Sequence, residues 1–184
     1  PITSFIGYGA LQQIAQNGMI RACVQTVADD ITREWIRIEG GDGTAPEAVQ
    51  ALEDAVNDKY HLKDLIHKTA STVGFMGGAF IFIDTGVEGA DLELPLRISS
   101  LSAEMSQNMD LSFVLVDPVS VTPGDYNSGN PLKADYMTPK WWWVLGQKVH
   151  ASRLIPVFDN PPPVLLRPSY NFLGIPQAQI LWDY

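Results

Sequence analysis

The chain has 184 residues, 46% of them hydrophobic and 18% charged, with 21 acidic side chains against 12 basic ones for a net charge of −9. That composition excludes a disordered polyelectrolyte and a protein that grips nucleic acid through a broadly basic surface. The single cysteine, Cys23, excludes an internal disulfide framework, and no apolar run approaches the ~20 residues of a helical membrane span. An acidic surface could still line a channel through which DNA slides without sticking.

A chain of this size can bury roughly 70% of its unfolded surface and fits one ordinary domain. It begins at Pro1 and stops at Tyr184, about two turns into a helix opened by Pro176. We therefore expect a piece of a longer polypeptide.

Residues 1–9 carry Gly7 and Gly9, show no period and read as extended. A short helix is expected over 10–16, broken by Asn17-Gly18. Residues 19–31 have helical spacing, with Met19, Ile20, Cys23, Val24, Val27 and Ile31 as one apolar stripe and Arg21, Gln25 and Asp29 opposite. From Trp35 to Ile38 apolar and charged residues alternate, the period of a strand. Gly40-Gly41-Asp42-Gly43 is a loop, and Thr44 with Glu47 reads as a capping box opening a helix to about residue 58. A third helix is expected over 62–75, with Leu62, Leu65, Ile66, Thr69, Ala70 and Val73 on its buried face and Gly77-Gly78 as its stop.

The continuous apolar run 79–83 predicts a well-buried strand. Residues 84–110 are polar and irregular. Residues 111–116 form a strand stopped by Asp117-Pro118, and 122–139 read as turns with at most a short strand. Trp141-Trp142-Trp143-Val144-Leu145 is a run of β-preferring residues, Gly146-Gln147 a tight turn, and 149–158 a second apolar run in which Pro156 marks an edge. Asp159-Asn160-Pro161-Pro162-Pro163 is a stiff connector. Helices come first, then strands, without regular alternation. The fold class is α+β: amphipathic helices, about residues 10–78, on a small mostly antiparallel sheet drawn from 79–170, with a last helix at 176–184.

The chemistry-bearing residues are few. His61 and His67, six apart on a helix, diverge by about 240°, so no histidine–cysteine metal site is formed, although one made only of carboxylates stays open. Gly74-Phe75-Met76-Gly77-Gly78 lacks the lysine of a phosphate loop and lies between helix and strand in the wrong order. Within 149–158 sits a polar cluster of His150, Ser152 and Arg153. In one strand His150 and Ser152 would share a face, but no acid is placed to orient the histidine and the serine is on no exposed elbow. His67-Lys68-Thr69 and His150-Ala151-Ser152 together resemble the paired motifs of two-histidine phosphoesterases, except that a helix would put His67 and Thr69 about 200° apart. Three adjacent tryptophans cannot all face one core, so one of them is expected at an interface.

An ordered set of short motifs says more. Thr32-Arg33-Glu34-Trp35 follows an amphipathic helix, and Gly77-Gly78-Ala79-Phe80-Ile81 follows another. Then come Val116-Asp117-Pro118, Val121-Thr122-Pro123, Asn130-Pro131, Val149-His150-Ala151-Ser152-Arg153-Leu154 and Phe172-Leu173-Gly174. In this order they resemble portal proteins of tailed bacteriophages, over nearly the whole chain. A serine common near the start of the last helix in that family is replaced here by Pro176.

The resemblance implies a wing-like part of a ring-forming head–tail connector, usually dodecameric, made in the bacterial host cytoplasm and placed at one capsid vertex of the virion. Such a ring conducts double-stranded DNA without sequence specificity and docks the terminase motor, the capsid and tail adaptor proteins. It implies no catalytic residue, no cofactor, no metal and no membrane. Arg33, Glu34, Trp35, Gly77, Gly78, Asp117, His150, Ser152 and Arg153 are then structural or subunit-contact positions. The alternative is a two-histidine phosphoesterase cleaving cyclic oligonucleotides, of the anti-CBASS type. A strand at His67 facing His150 would favour it, and a helix there would favour the portal.

Overall fold

A computed structural model of the chain describes residues 4–96 and 111–183. It is α+β, with helices first and two small antiparallel sheets after them. The segment 97–110, part of the stretch read as irregular, lies outside the described residues.

Helix α1 (Tyr8–Ile14) starts two residues earlier than expected, directly after Gly7 at φ 87°. Helix α2 (Gly18–Arg33) is capped by Asn17, whose Oδ1 accepts the amides of Met19 and Ile20 at 3.0 and 3.3 Å. Its buried row is Ile20, Val24, Ala28 and Thr32. The expected stripe was wider. Met19, Cys23, Val27 and Ile31 are exposed, because the chain's own helices cover only one row of α2. The expected strand at Trp35 to Ile38 is not formed either. The alternation is present in the sequence, but neither sheet extends to it.

Helix α3 (Pro46–Asp54) has Pro46 at its first turn, where a fixed φ and a missing N–H cost nothing. Ala45 takes the cap position and no side chain caps it, so the Thr44–Glu47 box does not form. The helix continues as a π-helical turn, Ala55–Lys59. His61, at φ 47°, then turns the chain into α4 (Leu62–Met76). Thr69, Val73 and Gly74 are its buried residues. It stops at Gly77, φ 82°, whose N–H donates to Val73 O at 2.8 Å, the glycine stop the sequence predicts.

Strand β1 (Gly78–Asp84) is central in its sheet, flanked by β2 (Ser112–Val116) and β6 (Leu154–Phe158), both antiparallel. That position accounts for its unbroken apolar sequence. Pro156 lies on edge strand β6, where a missing amide is tolerated. The second sheet is β3 (Val121–Pro123), β4 (Trp141–Val144) and β5 (Gln147–His150). Two expectations change here. The hairpin turns at Leu145-Gly146, both with positive φ (48° and 89°), one residue before the expected pair. The run 149–158 is also not one strand. It breaks at a 3-10 turn, Ala151–Arg153, which carries the chain from one sheet to the other.

The sheets share a core. Phe80 and Leu154 from one meet Val121, Trp142 and Val149 from the other, with Phe172 and Leu173 beneath. Phe80 and Trp142 pack edge to face at 4.8 Å. The chain's two ends also meet. Helix α5 (Gln177–Trp182) places Ala178 against Ile14 and Ile20, and Gln179 Nε2 donates to Ser4 O at 3.0 Å. Three backbone passes touch where Gly174 N donates to Gly77 O at 2.8 Å and Ile175 N to Asn160 O at 2.9 Å. A Cβ on Gly174 would collide with the Asp159 carbonyl.

Candidate functional site

The 3-10 turn between β5 and β6 carries the polar cluster singled out by the sequence. His150 is its cap residue. Its Nδ1 accepts the Ser152 amide at 3.2 Å and lies 2.8 Å from Ser152 Oγ, which donates to it. Ser152 Oγ in turn accepts the Leu96 amide at 2.7 Å. His150 and Ser152 touch as expected, but through a turn and not across the face of a strand. Arg153 is 7% exposed. Its guanidinium donates to Leu94 O at 2.9 Å through Nε and to Thr85 Oγ1 at 3.2 Å through Nη1.

Two further bonds join the same segments. Lys148 Nζ pairs with Glu93 at 2.9 Å, and Gln147 Nε2 donates to Gly89 O at 3.1 Å. The cluster therefore fastens the excursion 85–96, which follows β1, to the junction of the two sheets. The partners Thr85, Gly89, Glu93, Leu94 and Leu96 had no signature in the sequence. Most of them offer backbone groups, which any residue carries.

The arrangement is poorly suited to catalysis. A nucleophilic serine needs a free oxygen and a histidine oriented by an acid. Here the oxygen is held by an amide, and Glu93 is engaged by Lys148 and not by His150. The other histidine motif is separated from it. His67 is on α4, donating from Nε2 to Asp29 Oδ1 of α2 at 2.7 Å. Thr69 lies in the helix interior with its hydroxyl on Leu65 O at 2.7 Å. A helix at this position removes the geometry that a two-histidine site needs. No group of three or more metal-ligating side chains converges among the described residues.

The remaining expected positions have structural surroundings. Arg33 pairs with Asp30 at 2.9 Å on the exposed end of α2, and Glu34 is the cap residue that ends the helix. Trp35 Nε1 donates to Asn57 Oδ1 at 3.0 Å. Gly77 and Gly78 let the chain pass closely. A Cβ on Gly77 would strike Gly174 O, and one on Gly78 would lie 2.8 Å from the Leu173 side chain. Asp117 Oδ1 accepts the Val119 amide at 2.9 Å, starting the 3-10 turn Pro118–Ser120.

The three tryptophans divide as their adjacency requires. Trp142 is 3% exposed, Trp143 is 40% exposed, and Trp141 is half-buried beneath Lys148, whose Nζ is 4.7 Å from its ring centre. Beside Trp142 opens a cleft of about 310 Å³ lined by Met137, Pro156, Phe158, Phe172 and Leu173, with Arg167 as the one charged residue of its wall.

The geometry is that of a fastened structural junction. A search of curated proteins found no match to the chain. A family model described as phage portal protein matches residues 8–184. On that match, which runs over almost the whole sequence, the chain belongs to the phage portal protein family, a family of structural head–tail connectors.

Proposed function

We propose that this chain is the wing-like region of a longer portal subunit that assembles into a closed ring at one capsid vertex. The ring conducts DNA during packaging and ejection and joins head to tail. It docks the terminase motor first and tail adaptors afterwards. The observation that most supports this reading is the spent chemistry of the polar cluster. Ser152 and Arg153 hold residues 85–96 to the sheet junction and His150 caps the turn that carries them, as a structural shell requires and an active site does not. In this role His150, Ser152 and Arg153 keep the sheet junction rigid, and an acidic region (net −9 over these 184 residues) offers passing DNA little to hold.

The test is the mass and symmetry of the full-length protein, by mass photometry and negative-stain imaging. A large ring with a central hole is expected. A monomer or small dimer at working concentration would sink the proposal.

A further inference from the structure

Residues 34–59, between α2 and α4, contain no buried residue, yet they carry Trp35, Ile36, Ile38, Val49, Leu52 and Val56. The segment is closed at its neck by the Trp35–Asn57 bond, and His61 Nδ1 donates to Asn57 O at 3.1 Å beside it. Its helix α3 is amphipathic. Ala45, Ala48, Val49, Leu52 and Val56 fall within about 100° of one another at helical spacing. Leu52, in the middle of that face, is 52% exposed. A helix of nine residues is too short to persist on propensity alone; it needs an apolar surface to lie on.

The same chain carries a matching surface. Met19, Cys23, Val27 and Ile31 form an exposed row on α2, with Met19 at 79% and Ile31 at 55% exposure. At 1.5 Å per residue the row is about 18 Å long, and the apolar face 45–56 is about 17 Å long. One cationic contact is also on offer. Residues 34–59 hold seven acidic and two basic side chains, a net of −5. A shallow hollow beside the α2 row contains Arg33 and Lys63. Asp29 and Asp30 in that hollow are engaged by His67 and Arg33, which leaves Lys63 without an acidic partner among the described residues.

We infer that residues 34–59 are an arm that reaches a second copy of this chain and lays α3 along the exposed Met19–Cys23–Val27–Ile31 row of that copy's α2. The contact is heterologous: each copy gives an arm on one side and receives one on the other. Contacts of that kind propagate from copy to copy and form a ring where the rotation between copies closes. The inference rests on the ring reading above and adds to it the surfaces that meet.

The row holds the chain's only cysteine, Cys23, so the arrangement can be trapped. In the full-length protein with Cys23 as its sole thiol, L52C would place a second thiol at the centre of the arm face. Mild oxidation should then give a ladder of dimers, trimers and higher covalent oligomers on non-reducing gels. Q50C, on the opposite face of α3, should give none.

Rings by mass photometry without a ladder from L52C would overturn the arm contact while leaving the ring reading intact. Particles of monomer mass would remove both. Wild-type protein that oxidises to Cys23–Cys23 dimers alone would show two rows meeting each other, and would also overturn it. Leu52→Glu provides a second test. Leu52 is half-exposed in the isolated chain, so the melting temperature of the dilute monomer should stay unchanged while ring formation falls at least tenfold. Undiminished rings would count against the arm.

Discussion

Arg153 and Tyr8 show how single side chains govern the two halves of the molecule. Arg153→Ala would leave the Leu94 carbonyl and the Thr85 hydroxyl without their donors and open a void at the sheet junction. We expect a loss of about 2–4 kcal/mol in urea unfolding, faster amide exchange in 85–96 and fewer rings. A variant with wild-type exchange in that segment and normal rings would remove the clamp from the account.

The Tyr8 phenol is held above its ordinary value of about 10, chiefly by burial and to a smaller extent by the Asp117 carboxylate, against a lowering contribution from the Asn171 side-chain amide. Because the folded state keeps the proton longer than the unfolded chain, its contribution is fully present below about pH 10 and fades as pH rises through the folded value. Tyr8→Phe should therefore lose less stability than wild type between about pH 8 and about pH 11, read from urea melts at each pH. Parallel alkaline losses in the two proteins would refute this.

At the level of elements, some of the sequence was directly legible. The α4 stop at Gly77, the buried β1 run and the edge position of Pro156 each follow from a local constraint: a positive φ, a strand covered on both faces, an absent amide. Other features depended on partners remote in the chain. Trp35 to Ile38 alternate like a strand, but a strand needs a neighbour to pair with, and the sheets are complete without this segment. The break at Ala151–Arg153 is set by two sheets competing for one apolar run, and nothing in the composition marks it. The clamp cluster was visible as His150, Ser152 and Arg153, while its partners, the Leu96 amide and the Leu94 carbonyl nearly 60 residues away, were not.

The close passage of three elements at Gly174 gives a sharp expectation. Gly174→Ala should cost more than about 3 kcal/mol or prevent folding, since backbone rather than a flexible side chain stands in the way. Near-native urea stability would show that the passage can open.

At the scale of the whole molecule, charge and family membership bear on how DNA is handled. With net charge −9, the protein should retain linear double-stranded DNA no better than a neutral control in gel-shift assays at about 0.1 M salt, and lowering the salt should change little. A tight complex with a steep salt dependence would mean a gripping surface, and the free-passage reading would fail.

The meeting of the chain's ends also bears on synthesis. Ile14 and Ile20 pack with Ile6 and Phe75, but their cluster closes only with Ala178, more than 150 positions later. At roughly 5–20 residues per second, a ribosome takes about ten seconds or more to deliver it. Through that interval the first helices are out of the exit tunnel with part of their apolar side still uncovered. Nascent subunits are then exposed to chaperones and to one another, and a polysome crowded with copies is where a premature partner would be met.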